Sequence, residues 1–497
     1  MQKKQRKGLY IAVGIIILAI AAMAGVHIYY SGRWYPGSKI EKINVAGMTY
    51  EESMNKIEDQ ISSYQLKIKA RDKGTMTISG NDIDLKLDSV QSIKELYETQ
   101  HKRSVLLSWF GDAKKTVENV FAYSEKKVSQ LVEKSVLTTG SNTYALIKPE
   151  DATIIYSQDK KYGIIKDEIE GNILDQAELC SVIGHAVDKL APRMDITDTE
   201  MYPDVYKKPG LYKDDAELEQ MQKTYNQLLL HWIQWDMGNN VKETLSPEVL
   251  KDCIKVDTKK HTVKLQMSKV TKWLEAFCLK YKTQGIARTF KTHSGKKIKV
   301  SGGDYGWRID YDKVLSQVKK ILKKTPDENA MEAYKKNATQ ENQKALMTSL
   351  KPVYSHEGYR MDYQKKQNDW DTKNYSEVDL SAQEVYVYRK GKLVFSCTCI
   401  TGKATPDRIT RTGVYDIKEK KLTKTLTGAD YSVETRYWTR IMWTGTGYHY
   451  SNRGDWGSWS PSYYKTAGSH GCVNLTLSDA ASIYKLTKIG DPVFIHY

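Results

Sequence analysis

A cysteine and a histidine near the C-terminal end have the residue types of a nucleophile and its base. Cys472 lies in the heptapeptide SHGCVNL, residues 469–475, and His449 precedes it by 23 residues. The thiolate is the attacking form of cysteine, and a free thiol is mostly protonated at neutral pH. A nearby imidazole is therefore the usual means of forming the anion. Gly471 lets the backbone approach a substrate closely. The pattern predicts covalent catalysis by Cys472, with His449 as proton acceptor and donor.

The alternative for each of these residues is a structural role. A single cysteine in a folded domain is more often buried and inert than catalytic, and a single histidine is ordinarily a surface or core residue. The surrounding sequences, SHGCVN for Cys472 and Gly-Tyr-His-Tyr for His449, favour the catalytic interpretation. The six cysteines of the chain have neither the spacing of a disulfide framework nor that of a metal site, so no metal and no cofactor is expected.

The N-terminal segment has the composition of a membrane span. Residues 9–30 contain no Asp, Glu, Lys or Arg, and their length exceeds the roughly 20 residues that cross a bilayer. Four basic residues in residues 1–8 predict a cytoplasmic tail, with everything after the span outside the membrane. The alternative is a signal peptide cleaved after the Ala-Met-Ala of residues 22–24, although its apolar region would be unusually long. The sequence therefore predicts a single-pass membrane protein with an extracellular C-terminus.

The length and net charge of the chain limit the class of protein and the kind of partner. A chain of 497 residues is too long for one hydrophobic core, so the protein is multidomain, with about three units of roughly 150 residues. The net charge of +16 favours an anionic cell envelope as partner, and an evenly charged soluble surface is the alternative. No basic run interleaved with aromatic residues indicates a nucleic-acid groove. Nucleic acid is therefore not an expected partner.

Hydrophobic periodicity divides the chain between the span and the candidate site. Residues 31–147 alternate strand-like and helix-like runs, which predicts an N-terminal α+β domain. Apolar residues at three-to-four spacing predict amphipathic helices over residues 215–236 and 312–323. Residues 325–374 are polar and charged, and they are interpreted as a connecting segment.

The C-terminal domain is predicted to be mostly β and sandwich-like. Residues 384–389 and 393–400 alternate around a Lys-Gly-Lys turn, which predicts a hairpin. A short helix over residues 477–486 and a final strand over residues 492–497 follow the candidate site. The predicted fold class is a multidomain chain with an N-terminal transmembrane helix, α+β middle domains and this β-rich C-terminal domain.

Several stretches in order resemble a known family, the L,D-transpeptidase catalytic domain, also called YkuD. They are VDLSAQEVYVYRKGKLV, TGKATP, TGVYDI, His449 and SHGCVNL, and the resemblance covers residues 375–497. Residues 148–324 resemble the peptidoglycan-binding domain that accompanies such catalytic domains, on the stretches 151–175 and 280–310.

The resemblance implies an enzyme that cross-links the cell wall. Cys472 would attack the carbonyl of the third, L-centred residue of a tetrapeptide stem, expel D-Ala and hold a thioacyl intermediate. An amine on the third residue of a neighbouring stem would then resolve it to a 3→3 cross-link. Peptidoglycan stem peptides and glycan are the implied partners, beside the membrane that holds the N-terminal helix.

The resemblance also assigns roles within the site. Tyr450 would orient His449 through its backbone carbonyl, and the N–H groups of Gly471 and Cys472 would form the oxyanion site. His470 and Asn474 would shape the loop by hydrogen bonds. Four further assignments are structural or weaker. Ser469 would complete the motif, and the substrate-binding candidates, proposed from proximity in the chain alone, are Arg440, Trp443 and Arg453.

The interval between His449 and Cys472 is longer than is usual in the family. The additional residues lie in the Gly- and Trp-rich segment 451–464, which is predicted to form a loop over the groove. This departure affects substrate choice and not the reaction.

Three other functions stay open on the sequence. An L,D-carboxypeptidase would use water as the acceptor. A sortase-like cysteine transpeptidase would need an arginine after the nucleophile, and none follows Cys472. A non-catalytic wall-binding protein would carry the motif as a remnant.

Overall fold

The computed structural model describes residues 2–109, 116–428 and 431–497. Met1 of the predicted tail and residues 110–115 of the predicted N-terminal domain lie outside the described residues. The chain divides into two compact units, and each is described by itself. Unit 1 comprises residues 1–155, 165–221 and 257–261, and unit 2 comprises residues 156–164, 222–256 and 262–497. The predicted domain 148–324 therefore contributes residues to both units.

The described residues form helices separated by short strands. The α-helices are α1 Gln2–Tyr30, α2 Tyr50–Ser62, α3 Val90–His101, α4 Glu125–Lys134, α5 Val136–Thr139, α6 Gln176–Asp188, α7 Ala216–Leu229, α8 Pro247–Leu250, α9 Met267–Tyr281, α10 Tyr311–Leu322, α11 Glu328–Lys336, α12 Gln340–Ala345, α13 Tyr464–Ala467 and α14 Leu477–Leu486.

The strands are β1 Lys39–Ile40, β2 Ile43–Asn44, β3 Gln65–Lys69, β4 Thr75–Ser79, β5 Lys86–Leu87, β6 Thr116–Val117, β7 Phe121–Ala122, β8 Thr153–Tyr156, β9 Gly163–Lys166, β10 Arg193–Asp195, β11 Trp232–Gly238, β12 Val241–Leu245, β13 Ile254–Asp257, β14 Thr262–Leu265, β15 Arg288–Lys291, β16 Lys297–Val300, β17 Arg308–Ile309, β18 Met347–Leu350, β19 Tyr354–His356, β20 Tyr375–Asp379, β21 Glu384–Arg389, β22 Lys392–Thr398, β23 Gly413–Asp416, β24 Glu419–Thr427, β25 Ser432–Arg440, β26 Gly447–Tyr450, β27 Val473–Leu475 and β28 Pro492–His496.

Helix α1 has the length and composition of a membrane span. Its segment Arg6–Tyr30 contains 25 residues, and the most apolar 18-residue stretch of this segment has a mean hydropathy of 2.6 and is not buried in the protein. An exposed apolar helix of this length is compatible with a single-pass anchor and with a signal sequence.

Unit 1 is built around a three-stranded sheet in the order β10-β3-β4. The strands β3 and β4 alternate, so that Leu66, Ile68 and Ile78 are buried while the residues between them face solvent. Helix α2 begins with a capping box, in which Thr49 and Glu52 satisfy each other's backbone N–H groups. The unit thus has the α+β character that the sequence predicts.

The middle part of unit 2 departs from the sequence prediction at two places. The helix predicted over residues 215–236 ends at Leu229, and Trp232 begins strand β11, which lies between β12 and β18. Alternating burial along β11 overrides the helical spacing of its apolar residues. The predicted connecting segment 325–374 instead contains two helices and two strands. Met331, Tyr334 and Leu346 are buried there, so this polar segment still supplies core side chains.

The C-terminal region contains two sheets, in the orders β22-β21-β20-β28-β23 and β24-β25-β26-β27. One core contains residues of both sheets, among them Val378 and Val385 of the first and Tyr448 and Val473 of the second. The predicted hairpin β21–β22 and the predicted helix α14 are confirmed. The C-terminal domain is β-rich, as the sequence predicts.

The hairpin β15–β16 packs against this β-rich region within unit 2. The rings of Phe290 and Phe494 are stacked with centroids 4.1 Å apart. Beside them, Arg288 and Asp369 form a fully buried ion pair, with 2.7 Å between Nε and Oδ1. Arg288 also donates to the carbonyls of Thr283 and Tyr305, so its charge is fully hydrogen-bonded in the interior.

Candidate active site

The candidate nucleophile and base lie at the ends of two paired strands. Strand β26 is parallel to β27, and this pairing places His449 opposite Asn474, two residues after Cys472. Strand β25 lies on the other side of β26 and pairs Thr439 with Tyr448. Residues that are far apart in the sequence are therefore fixed together by the backbone of one sheet.

The side chain of Ser469, within the SHGCVNL motif, closes the loop before β27 by two hydrogen bonds. Ser469 Oγ accepts a hydrogen bond from the Gly471 N–H at 3.0 Å and donates to the Cys472 carbonyl at 2.6 Å. Gly471 has φ of +119°, a conformation that favours glycine. The Gly471 N–H, a predicted oxyanion donor, is thus directed into the loop. The Cys472 N–H has no hydrogen-bond acceptor within the described part of the chain.

His449 is buried and held at both ring nitrogens. Its Nδ1 donates to the carbonyl of Tyr450 at 2.7 Å, and its Nε2 lies 3.1 Å from Nδ2 of Asn474. An amide N–H can only donate, so Nε2 carries the lone pair in this arrangement. Burial lowers the pKa of His449, against the hydrogen bond to the Tyr450 carbonyl, which raises it. The ring is therefore neutral and able to accept a proton at neutral pH.

Cys472 is partly exposed, and its thiol is protonated in this arrangement. Its Sγ donates to the carbonyl of Gly445 at 3.4 Å. Burial of the sulfur among neighbouring atoms raises the pKa of the thiol to about 11, against the N–H of Gly447, which lowers it. No hydrogen bond joins Cys472 to His449 in the described residues. The thiol instead contacts the carbonyl of Gly445, and the imidazole contacts the amide of Asn474.

Arg453 lies in a network that leads to the imidazole. Its guanidinium forms a bidentate ion pair with Asp455, at 2.9 and 2.7 Å, and it also donates to the carbonyl of Ala467. Its Nη1 lies 3.5 Å from Oδ1 of Asn474, whose other side-chain atom contacts His449. Arg453, one of the three predicted substrate-binding residues, is therefore bound to protein groups. Through its contact with Asn474 it helps to orient that side chain.

The other candidates lie outside this network. The Arg440 guanidinium is 5.4 Å from the ring centroid of Trp443, which is 66% exposed. Its Nε is 3.7 Å from a carboxylate oxygen of Glu419. The His470 ring is 5.0 Å from the ring of Tyr431. Trp443 is therefore an exposed aromatic side chain, and a substrate-binding residue would need such exposure.

Two threonines belong to the site and have no signal in the sequence. Thr410 Oγ1 accepts from the Gly402 N–H and donates to the Gly471 carbonyl, both at 2.8 Å. Thr435 Oγ1 lies 3.0 Å from Nδ1 of His449 and donates to the carbonyl of Tyr450. Both act from other strands or loops, so only the pairing of distant segments places them here.

The segment 451–464 is anchored by side chains. Trp459 Nε1 donates to the Cys399 carbonyl at 2.9 Å, and the Tyr463 hydroxyl donates to Asp455 at 2.6 Å. The Tyr463 bond joins the two halves of the segment, whereas Trp459 and Arg453 attach the segment to Cys399 and Asn474 of the β-rich region. The predicted role of this loop over the substrate groove stays a prediction.

A comparison with protein-family models identifies the domain that contains this site. Residues 373–495 match YkuD, the L,D-transpeptidase catalytic domain. The C-terminal domain is an L,D-transpeptidase catalytic domain. Residues 236–330 match a second model, described as "Putative peptidoglycan binding domain", which precedes the L,D-transpeptidase domain as the sequence predicts.

Solved structures similar to this L,D-transpeptidase come from several organisms. A cysteine-to-serine variant of the Enterococcus faecium L,D-transpeptidase is 22% identical to this chain. The match covers 56% of this chain and 100% of the variant, with a TM-score of 0.35. The catalytic domain of the E. faecium L,D-transpeptidase is 32% identical. The match covers 25% of this chain and 98% of that domain, with a TM-score of 0.22. An L,D-transpeptidase from Stackebrandtia nassauensis is 30% identical, with coverages of 25% and 55% and a TM-score of 0.21. A comparison with curated proteins gave no match.

Proposed function

We propose that this chain is a membrane-anchored L,D-transpeptidase that makes 3→3 cross-links in peptidoglycan through a thioacyl intermediate on Cys472. The observation that carries the proposal is the pairing of β26 with β27 inside the matched domain. This pairing brings a neutral, oriented His449 beside the loop that carries the thiol. A cysteine, a proton carrier and a free backbone N–H are the groups that acyl transfer needs.

In acylation, the thiol proton of Cys472 passes to Nε2 of His449 as the sulfur attacks the substrate. The sulfur forms a bond to the carbonyl carbon of the third stem residue, and the resulting oxyanion accepts a hydrogen bond from the Cys472 N–H. The bond from that carbon to the nitrogen of D-Ala then breaks, and the imidazolium gives its proton to the leaving amine. The products are free D-Ala and a tripeptidyl thioester on Cys472.

Deacylation reverses the proton path with a second stem as acceptor. The amine on the third residue of that stem gives a proton to His449 and attacks the thioester carbon. The carbon–sulfur bond breaks, and the sulfur recovers its proton from the imidazolium. The product is a 3→3 cross-link, whereas water as the acceptor would give a tripeptide and make the enzyme a carboxypeptidase.

The resting contacts define what must change on substrate binding. The thiol has to leave the carbonyl of Gly445, and Nε2 of His449 has to exchange the amide of Asn474 for the thiol proton. Both are single hydrogen bonds at 3.4 and 3.1 Å. Each net hydrogen bond contributes about 1 kcal/mol, so exchanging these two contacts costs little free energy.

The proposed location follows from the N-terminal helix. With α1 in the bilayer and the basic tail in the cytoplasm, the chain after residue 30 lies outside the cell membrane, where peptidoglycan is found. The proposed partners are the membrane, through α1, and the stem peptides and glycan of the wall. The +16 net charge supports an anionic partner.

The test is intact-protein mass spectrometry with a disaccharide tetrapeptide. The wild-type chain is expected to gain a tripeptidyl adduct, release D-Ala and form a cross-linked dimer, while Cys472→Ala gains no adduct. An adduct with tripeptide as the only product would identify a carboxypeptidase. A folded protein with a titratable thiol and no adduct would reject the tetrapeptide as donor.

A further inference from the structure

Residues 401–411 form a loop that is hydrogen-bonded to the loop before β27, which carries the candidate nucleophile. The N–H of Lys403 donates to the carbonyl of Ser469 at 2.9 Å. At the other end, the hydroxyl of Thr410 donates to the carbonyl of Gly471 at 2.8 Å. Both ends of the loop 401–411 are therefore fixed beside the loop that carries the thiol.

The backbone of Arg408 lies close to the residue that precedes Cys472. A Cβ on Gly402 would collide with the carbonyl oxygen of Arg408 and would lie 2.9 Å from the Cα of Gly471. A Cβ on Gly471 would lie 3.5 Å from the same carbonyl oxygen. The two glycines thus let the three backbone segments approach closely, and this approach brings Arg408 next to the nucleophile loop.

The guanidinium of Arg408 is only weakly paired with protein groups. Its Nε lies 3.5 Å from Oδ2 of Asp407, and the two side chains are 39% and 73% exposed. An exposed ion pair of this kind contributes little free energy. Within residues 2–109, 116–428 and 431–497, no hydrogen bond joins either Nη group of Arg408 to another residue. The terminal nitrogens can therefore bind a ligand.

Two other arginines near the site already contact protein groups. Arg453 is bound to Asp455 and to the carbonyl of Ala467. Arg440 lies beside the carboxylate of Glu419. Arg408 differs from both, because it combines unpaired terminal nitrogens with a backbone that lies against the nucleophile loop.

The proposed reaction places one negative charge of the donor close to the thiol. The bond that breaks joins the attacked carbonyl carbon to the nitrogen of the terminal D-Ala, whose carboxylate lies one Cα beyond that nitrogen. Bond lengths place the carboxylate carbon within about 4 Å of the attacked carbon. An oxyanion forms on the attacked carbon, and like charges at this separation repel each other. A cation at the carboxylate would offset that repulsion.

We propose that Arg408 binds the carboxylate of the terminal D-Ala and makes this charge a requirement of the donor. The proposal rests on the proposed function, because it assigns a specificity-determining residue within the same reaction. A guanidinium presents two parallel N–H groups whose spacing matches the two oxygens of a carboxylate. The contact neutralises the carboxylate and holds the leaving group beside the thiol of Cys472.

The test compares two soluble donors with the detergent-solubilised full chain. One is the disaccharide tetrapeptide, and the other is the same compound with D-alaninamide as its last residue. For the wild-type chain, we expect kcat/KM to be about 30-fold higher for the acid than for the amide, which is the size of one charge-assisted hydrogen bond. Arg408→Gln should lower the value for the acid by the same factor and leave the amide unchanged.

Arg411→Gln is the matched control, since Arg411 is an exposed arginine of the same loop. Burial raises the pKa of Tyr415 to about 12, against the charge of Arg411, which lowers it, so this charge acts on strand β23. Arg411→Gln removes one positive charge, as Arg408→Gln does, and should keep the preference for the acid. Arg408→Lys keeps the charge without the paired N–H groups and should keep only part of the preference.

Equal turnover of the acid and the amide by the wild-type chain would overturn the inference while leaving the proposed function intact. A preference that survives Arg408→Gln, or that Arg411→Gln removes to the same extent, would also overturn it. If Arg408→Gln fails to fold, Arg408→Lys replaces it, and an undiminished preference in that variant counts against the contact. Absence of turnover of either donor by the wild-type chain would reject the proposed function and the inference together.

Discussion

At the scale of single residues, the site holds a neutral thiol and a neutral imidazole. Burial raises the pKa of Cys472 to about 11 and lowers that of His449. A preformed thiolate–imidazolium pair would need the opposite shifts, because each charge would stabilise the other. We therefore expect proton transfer to accompany attack on the substrate.

The first prediction concerns alkylation of Cys472 by iodoacetamide without substrate. Because the thiolate is the reactive form, the rate should rise about tenfold per pH unit between pH 7 and 9, below the thiol pKa. His449→Ala should change this rate little. Mass spectrometry of the Cys472 peptide follows the reaction, and Cys472→Ala shows the contribution of the other thiols. A rate independent of pH would mean that an ion pair exists.

The second prediction concerns Arg453 as a positioning residue. Arg453→Lys keeps the charge but loses the bidentate contact with Asp455, so Asn474 and the His449 ring lose their fixed orientation. We expect kcat for cross-linking to fall about tenfold with little change in KM, a loss of about 1.4 kcal/mol in transition-state stabilisation.

Arg436→Lys is the matched control for Arg453→Lys, since Arg436 is an exposed arginine of strand β25 in the same domain. A rise in KM without a fall in kcat would instead support the sequence prediction that Arg453 binds the substrate.

At the scale of elements, the hairpin β15–β16 is joined to the catalytic sheet through one buried carboxylate. Glu377 of β20 accepts hydrogen bonds from the His293 N–H, at 3.0 and 2.9 Å. It also contacts Nε2 of His496 on β28 at 2.9 Å. The carboxylate is fully buried, so removing it leaves unpaired polar groups inside unit 2.

The third prediction concerns the pH dependence of this junction. Burial disfavours the charged form of His496, but the contact with Glu377 outweighs it and raises the pKa of the imidazole above its usual value. The stabilisation is therefore complete below the unfolded-state pKa of about 6.5 and is lost as the pH rises through the raised pKa. Unfolding of unit 2 in urea at pH 5.5 to 8.5 measures it.

His496→Gln should reduce this pH dependence, and Glu377→Ala should destabilise unit 2 by about 3–5 kcal/mol. His185→Gln is the control, because His185 lies on helix α6 in unit 1. A wild-type stability in unit 2 that increases between pH 6 and 8 would contradict the assigned charge on His496.

At the scale of the whole molecule, the proposed function places helix α1 in the membrane and the chain after residue 30 outside it. The fourth prediction is that the full chain stays in the membrane pellet after alkaline carbonate extraction, because its apolar surface needs lipid. Deletion of residues 2–30 should move the protein to the soluble fraction. N-terminal sequencing of the cellular protein gives the control, since a chain that begins at Gly25 would indicate a cleaved signal peptide.

The sequence by itself determined the elements whose signal is local. The apolar N-terminal run indicates α1, and alternating residues indicate the hairpin β21–β22, because each pattern is complete within a few neighbouring residues. SHGCVNL likewise predicts a nucleophile loop, and that role stays a prediction. Only the tertiary structure decided that Trp232 belongs to a strand, that Thr410 and Thr435 reach the site, and that Arg453 contacts Asn474. These outcomes depend on the pairing and packing of distant segments, and local spacing carries no record of such contacts.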